Sequence, residues 1–324
     1  MKNEVKSLSD AIRYFADEQV CIDTVAQMRW PDGPACPKCG TAAARQHYLK
    51  TQRRWQCRDC GKQYSVKVGT IFEDSALKLD KWLTAMWLLA NCKNGISSYE
   101  VARDVGVTQK SAWFMLHRIR YAMKNNSLRK MGSTGGPVEV DETFVGGKPK
   151  NMHASRRAKL QSAMSADNGK TAVMGMLDRD TREVRTKVIP NVKRETLQSE
   201  ILRQVQGAGT VYTDRHVGYD DLKTQAFIHE TVSHLEEYVR GDVHTQGIEN
   251  FWSLLKRTLS GTYVAVEPFH LDAYADEQAF RYNNRATKDN PLDDQDRFML
   301  AVSQVSGKRL TYAELTGKVG ETPF

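Results

Sequence analysis

Two cysteine pairs restrict what the first third of this chain can fold into more than any other feature. Cys36-Pro-Lys-Cys39 and Cys57-Arg-Asp-Cys60 are separated by 17 residues. At that spacing each pair forms a knuckle that turns two thiolates inward, and two knuckles complete a tetrahedron around Zn²⁺. Gly40 and Gly61 follow the second cysteine of each pair, where a positive φ relieves the tight turn. Four protein ligands leave no position for a substrate water, so one structural Zn²⁺ is expected. Cys21 and Cys92 lie in apolar helical patterns and are expected to be core cysteines. The opening residues, MKNEVKSLSDAIRYF, mix charge with apolar positions and have no apolar h-region. The expected compartment is therefore the cytoplasm, which favours metal-bound thiolates over disulfides.

The chain has 324 residues, 40% of them apolar and 27% charged, enough for about two packed domains. No run of about 18 apolar residues occurs, so no transmembrane helix and no membrane partner are expected. Charge is uneven. Residues 1–200 hold 34 Lys and Arg against 21 Asp and Glu, and residues 201–324 hold 13 against 18. A basic front and an acidic back point to a polyanion meeting the front.

Patterning divides the chain further. Residues 9–29 read as one or two short helices with Ser9 a candidate N-cap. Residues 78–92 read as an amphipathic to buried helix, and residues 96–124 as two helices around a glycine. MGSTGGP at 131–137 has the composition of a linker and marks the expected main boundary. After it, PVEVDETFVGG reads as a strand. KTAVMGMLDRD and EVRTKVIP read as a hairpin, KRETLQSEILRQV as a helix and GTVYTD as a strand. IENFWSLLKRTL and HLDAYADEQAFRYNNR read as helices. Three strands, a helix, a fourth strand and further helices make a mixed α/β layer.

Two segments suit DNA. Lys38, Arg53, Arg54, Arg58, Lys62 and Lys67 decorate the cysteine module, with Trp55 and Tyr64 between them, a composition that fits phosphate contacts with aromatic support. In SSYEVARDVGVTQKSAWFMLHRIRYAM (97–123), Gly106 permits a tight turn and Val107 anchors it. Thr108 can cap a second helix whose exposed start carries Gln109, Lys110 and Ser111. Ala112, Met115, Leu116 and Ile119 form its apolar face. In a helix-turn-helix the start of the second helix enters the major groove. An ordinary helical hairpin and a protein-docking ribbon fit the same patterns. The basic loop with Lys148, Lys150, Arg156, Arg157 and Lys159 is a further candidate for flanking DNA.

Three acids stand out by context. Asp141 lies within a strand, Asp214 ends another, and Glu249 opens a helix, at steps of 73 and 35 residues. On that helix Ile248, Phe251, Trp252, Leu255 and Leu259 form a buried face, and Glu249, Ser253 and Lys256 the adjacent stripe. Carboxylates converging from two strands and a helix can hold two Mg²⁺ or Mn²⁺ ions for phosphoryl chemistry. Lys256 can contact a neighbouring phosphate. Glu142 competes with Asp141, since adjacent strand residues face opposite ways, and Asp220 and Asp221 compete with Asp214. GxxxxGK[ST], HExxH and GxSxG motifs are absent. His216 and His244 read as scaffold groups.

Together these residues resemble the bacterial insertion-sequence transposases of the ISXO-type group, which join a zinc ribbon to a DDE integrase-like domain. The resemblance runs from about residue 10 to about residue 290. It rests on RWPDGPACPKCG, CRDCGKQYSVKVGTIFEDS, VEVDETFVGGK, VYTDRHVGY, HTQGIENFWSLLKRTLSGTY and HLDAYADEQAFRYNNR. It implies Asp141, Asp214 and Glu249 as catalytic acids, Lys256 as their basic companion, and Cys36, Cys39, Cys57 and Cys60 as zinc ligands. Gln246 and Asn250 stand where many relatives have Asn and Gly. The implied fold is α/β, a ribonuclease-H-like catalytic domain preceded by a zinc ribbon and a helical segment. The expected boundaries are 1–75 for the N-terminal helix and ribbon, 76–130 for the helix-turn-helix-like segment, 131–300 for the catalytic domain and 301–324 for a C-terminal tail. The implied activity is metal-dependent DNA cleavage and strand transfer. Its implied partners are terminal inverted repeats, target DNA and at least a second copy of the chain, and Arg53, Arg54, Arg58, Lys62, Thr108, Gln109, Lys110, Arg156 and Arg157 are the expected DNA contacts. A regulator that has lost catalysis and a structure-selective nuclease on the same fold are the rival readings.

Overall fold

A computed structural model of the chain describes residues 5–125, 127–147, 154–155, 169–215, 217–220, 222, 227–232, 243–288 and 290–318. The chain divides into two compact units, Met1–Lys124 with Asn284–Phe324, and Asn125–Asn283.

The first unit opens with α1 (Leu8–Tyr14) and α2 (Glu18–Arg29). The cap of α1 is Ser7 rather than Ser9: its hydroxyl accepts from the Asp10 N–H, and Asp10 answers at the Ser7 N–H, a reciprocal pair that satisfies two exposed donors. The ribbon follows as an antiparallel sheet of β1 (Gln46–Leu49), β2 (Arg54–Cys57) and β3 (Gln63–Tyr64). Next come α3 (Leu79–Asn91), α4 (Ser98–Val105) and α5 (Gln109–Met123). α3 is buried on most of its surface, from Leu79 to Ala90, because α1, α2 and α5 all pack on it. Gly106 takes the left-handed conformation (φ 66°) that ends α4. Thr108 caps α5, and Ala112, Met115, Leu116 and Ile119 are buried.

Among the described residues the second unit contains a five-stranded sheet. Its elements are β4 (Val138–Val145), β5 (Thr171–Asp178), β6 (Val184–Ile189), α6 (Arg194–Gln204), β7 (Thr210–Asp214), β8 (Ile228–Val232), α7 (Gln246–Thr258) and α8 (Leu271–Asn283). The strand order is β6-β5-β4-β7-β8. β4, β5 and β6 pair antiparallel, whereas β4–β7 and β7–β8 pair parallel. Alternation along the strands separates two apolar layers. Val138, Val140, Met174, Met176 and Val211 join Leu197 and Ile201 of α6 in one core. Val173, Leu177 and Val184 join Ile248, Phe251, Trp252 and Leu255 of α7, with α8, in the other. The face expected of α7 is the one that is buried.

Two expected boundaries move. Residues 131–137 are not a linker: Met131 is 1% exposed, donates to the Gln204 carbonyl and accepts from the Gln206 N–H, both at 2.8 Å. Residues 284–324 do not divide into the end of a catalytic domain and a tail. They return to the first unit as α9 (Asp294–Ser303) and α10 (Tyr312–Leu315). α9 packs on α3, with the Phe298 ring 5.3 Å from Trp87 and 5.4 Å from Phe15. Apolar demand on a distant helix, which no local pattern records, draws this segment back.

Candidate active site and zinc centre

The four ribbon cysteines converge. One sulfur from each of Cys36, Cys39, Cys57 and Cys60 lies within 4.8 Å of the others. Cys36 and Cys60 Sγ are 3.6 Å apart, as are those of Cys39 and Cys57. A disulfide requires about 2.05 Å. Sulfurs at about 2.3 Å from a tetrahedral zinc stand about 3.8 Å from one another, so the four sulfurs fit that ion. Local backbone builds the cage: Gly40 and Gly61 have φ of 72° and 68°, and their N–H groups close the knuckles on the Cys36 and Cys57 carbonyls at 2.9 Å. The Cys60 and Asp59 N–H groups favour the Cys57 thiolate and bring its pKa down to about 6, the charge state a ligand needs. By contrast, burial pushes the Cys21 thiol up to about 12, as suits a core cysteine. Cys92 is only half-buried, at the C-terminal end of α3.

The aromatic residues of the ribbon serve its own core. Trp55 and Tyr64 are 8% and 4% exposed, and Trp55 packs edge-on against Trp30 with ring centres 5.2 Å apart. They were expected to support phosphate contacts; both rings are instead buried in the ribbon. Arg54, Arg58 and Lys62 are exposed, while Arg53 pairs with Glu18. On α5, Thr108 Oγ1 accepts from the Ser111 N–H at 3.2 Å, Gln109 donates to Ser98 at 2.9 Å, and the Lys110 ammonium lies 4.8 Å from the centre of the Tyr312 ring. Lys148, Lys150, Arg156, Arg157, Lys159, His216 and Asp221 lie outside the described residues.

In the second unit the sheet register brings the acids together. Val138, Glu139 and Val140 pair with Val211, Tyr212 and Thr213, a constant offset of 73 residues. The same offset carries Asp141 to Asp214, so the spacing read in the sequence is the parallel register itself. A carboxylate oxygen from each of Asp141, Glu142 and Asp214 lies within 4.8 Å of the others. Adjacent strand side chains leave opposite faces, yet Glu142, with one more methylene than Asp, still brings an oxygen to the pair, and its Oε1 accepts from the Tyr219 hydroxyl. Sequence periodicity had made Asp141 and Glu142 alternatives; a carboxylate oxygen of each reaches the cluster. Asp220 is exposed and is not in this cluster.

α7 presents Glu249 from the other layer. Trp252 donates its indole N–H to Asp141 Oδ2 at 3.0 Å, one turn from Glu249. Gly175, the register partner of Asp141, admits that indole: a Cβ there would stand 2.5 Å from Trp252 Cζ2. Glu249 is outside the tight cluster, and its Oε1 accepts from the Thr245 hydroxyl at 2.8 Å. Its charge still reaches Asp141. Burial first, then Asp214, and more weakly Glu249, raise the Asp141 pKa to about 6. Burial, then Asp141 and Asp214, raise Glu142 to about 8. Buried like charges this close together are electrostatics that a bound cation would relieve. Lys256 is exposed two turns beyond Glu249.

One chain thus carries a four-cysteine ribbon suited to zinc and, in a separate unit, an α/β sheet with a cluster of three carboxylates. Residues 133–283 match the family described as the ISXO2-like transposase domain, and residues 16–63 match the transposase zinc-ribbon domain. In these two segments the chain is similar to insertion-sequence transposases of the ISXO2-like group. A protein of Halobacterium salinarum described as an uncharacterized protein in transposable element ISH50 is 28% identical over 257 residues, covering 77% of this chain and 85% of that one. Among solved structures, a simian T-cell lymphotropic virus intasome in complex with the PP2A regulatory subunit B56 gamma is similar at 13% identity and a TM-score of 0.30. That match covers 59% of this chain and 66% of the solved one, and at that score it carries no argument. Among the described residues no helix is long and apolar enough to cross a membrane.

Proposed function

We propose that this protein is a DNA transposase that cuts phosphodiester bonds at the ends of its element and joins those ends to target DNA. The observation that carries the reading is the meeting of Asp141 and Asp214 on neighbouring parallel strands, with Glu142 beside them, inside the segment that matches the transposase domain. The antiparallel β4–β5–β6 meander, a helix and two further parallel strands support a ribonuclease-H-like fold for this unit.

On this reading Asp141 and Asp214 hold two Mg²⁺ or Mn²⁺ ions, and Glu249 completes the set from α7. Such ions supply activation of the attacking oxygen and stabilisation of the departing one. In the first step a water oxygen bonds to phosphorus, the P–O3′ bond breaks, and the 3′ oxygen leaves with a proton as a hydroxyl. In the second, that hydroxyl bonds to a target phosphorus and displaces the target 3′ oxygen, so a phosphodiester is exchanged without an external energy source. Trp252 holds Asp141 in place through its indole N–H, and Lys256 contacts a phosphate next to the reacting one.

The ribbon, with Arg53, Arg54, Arg58 and Lys62, and the α4–α5 pair, as a helix-turn-helix led by Thr108, Gln109 and Lys110, bind the terminal repeats. Arg156 and Arg157 contribute from the basic loop. Bringing two ends together takes at least two copies of the chain, acting in the cytoplasm.

The test is an oligonucleotide duplex carrying the element end, incubated with protein and Mg²⁺ or Mn²⁺. Cutting and joining are expected, both lost in Asp214→Asn and Asp141→Asn. Cutting without joining leaves a nuclease, and binding without either leaves a regulator. Joining that survives Asp214→Asn overturns the metal assignment.

A further inference from the structure

Glu139 lies two residues before Asp141 on β4, so both side chains leave the face of the sheet that meets α7. Glu139 is 1% exposed. A carboxylate so far from water requires charge and hydrogen-bond partners. Its Oε1 accepts from Arg179 Nε at 2.7 Å. Its Oε2 accepts from the backbone N–H of Ile248, in the first turn of α7, at 2.9 Å. Arg179 continues the frame: its Nη2 donates to the His244 carbonyl at 2.8 Å and to His244 Nδ1 at 2.7 Å, and its guanidinium lies 4.8 Å over the Tyr212 ring. One acid on the sheet and one arginine just past β5 thus hold both the approach to α7 and its first turn.

The ordinary capping residue of this helix is engaged elsewhere. Thr245 occupies the N-cap but makes no side-chain cap bond. Its hydroxyl donates instead to Glu249 Oε1 at 2.8 Å. The first N–H groups of a helix need acceptors, and a buried carboxylate from the sheet takes one of them here, where the helix dipole favours negative charge. Gly247 permits the approach: a Cβ there would stand 2.8 Å from Glu139 Oε2.

We propose that Glu139 is a positioning residue of the cleavage site: it caps α7 from the sheet, frees Thr245 to hold Glu249, and with Arg179 sets where Glu249 stands relative to Asp141. The inference rests on the transposase reading above and adds a residue that acts through another rather than on the substrate.

The test uses the full chain, with Mn²⁺ binding, cleavage of an element-end duplex and amide exchange at Ile248 as readouts. Glu139→Gln keeps the size of the side chain but loses the charge that holds Arg179. It is expected to melt cooperatively, to exchange the Ile248 amide faster, and to keep KM for the duplex. Its kcat is expected to fall by about 100-fold, the usual effect of a small misplacement of a reacting group. Because Glu139 acts through Glu249, the double variant Glu139→Gln/Glu249→Gln is expected to be no slower than Glu249→Gln alone. Gly247→Ala, which crowds the same carboxylate from the helix side, is expected to reproduce the kcat loss. A wild-type kcat in either folded variant, or losses that multiply in the double variant, overturns the inference. So does failure of both single variants to fold, which assigns Glu139 to the core. A wild-type protein that neither binds Mn²⁺ nor cuts overturns the transposase reading and this inference with it; one that does both, beside an unaffected Glu139→Gln, overturns the inference alone.

Discussion

Glu142 and Asp141 hold their protons more tightly in the folded chain than in the unfolded one, at about 8 and about 6. Groups raised in this way contribute stability that is complete below their unfolded values, 4.5 and 3.8, and that disappears as pH rises through the folded ones. The metal-free protein is therefore expected to lose melting temperature between pH 5 and pH 8, and Glu142→Gln to flatten that slope; a profile unchanged by the substitution sinks the assignment. Divalent ions should restore the loss at pH 8, since they replace protons between the carboxylates. Gly175 makes a different demand. Its Cβ-free backbone leaves the space for the Trp252 indole against Asp141, so Gly175→Ala should destabilise the protein by about 1–3 kcal/mol, the usual cost of overpacking, read by thermal or urea unfolding. The core partners of α7 were legible as a helical stripe, but this small residue across the sheet was not, because its requirement comes from a strand neighbour and a helix more than 70 residues away.

Among the elements, the ribbon depends on something other than its sheet. Its three strands have four, four and two residues, too few for independent stability in water. Chelation of zinc, or Cys39→Ser, should release β1–β3 while leaving the second unit folded. Trp55, 8% exposed and edge-on to Trp30, reports this directly as a shift in tryptophan emission; an unchanged spectrum at full zinc removal would contradict the closed cage. α5 offers a milder case. Thr108→Ala removes the acceptor of the Ser111 N–H and should cost about 1 kcal/mol, measured by unfolding. Both features were plain in the sequence, the first from paired cysteines at fixed spacing and the second from a Thr directly after a Gly-centred turn. β8 was not: Ile228–Val232 is one short strand beside β7, and only a neighbour supplying hydrogen bonds marks it out.

At the scale of the whole molecule, the first unit is built from two separated stretches of chain. Phe298, Ala301 and Val302 are each 1% exposed or less, and the Phe298 ring packs on Phe15 and Trp87 from the first stretch. Phe298→Ala should cost about 3–5 kcal/mol, as for other buried phenylalanines, and should lower only the transition of the first unit in calorimetry. A chain ending at residue 283 should show the same unit partly unfolded and sensitive to protease, with the second unit intact. Equal effects on both transitions would contradict the division.

What the amino-acid sequence determined by itself was everything carried by short range or by a fixed interval. The zinc knuckles, the helix faces, the hairpin and the two acids on strands belong to this group, because turn chemistry and periodicity are local and the 73-residue step between Asp141 and Asp214 equals the register offset of β4 and β7. What only the tertiary structure decided was which groups meet across layers: Glu142 joining the acid pair, Glu139 capping α7, and α9 returning to pack on α3. Those outcomes follow from burial, where a buried charge or an apolar face takes its partner from whichever element the fold brings near, at any distance along the chain.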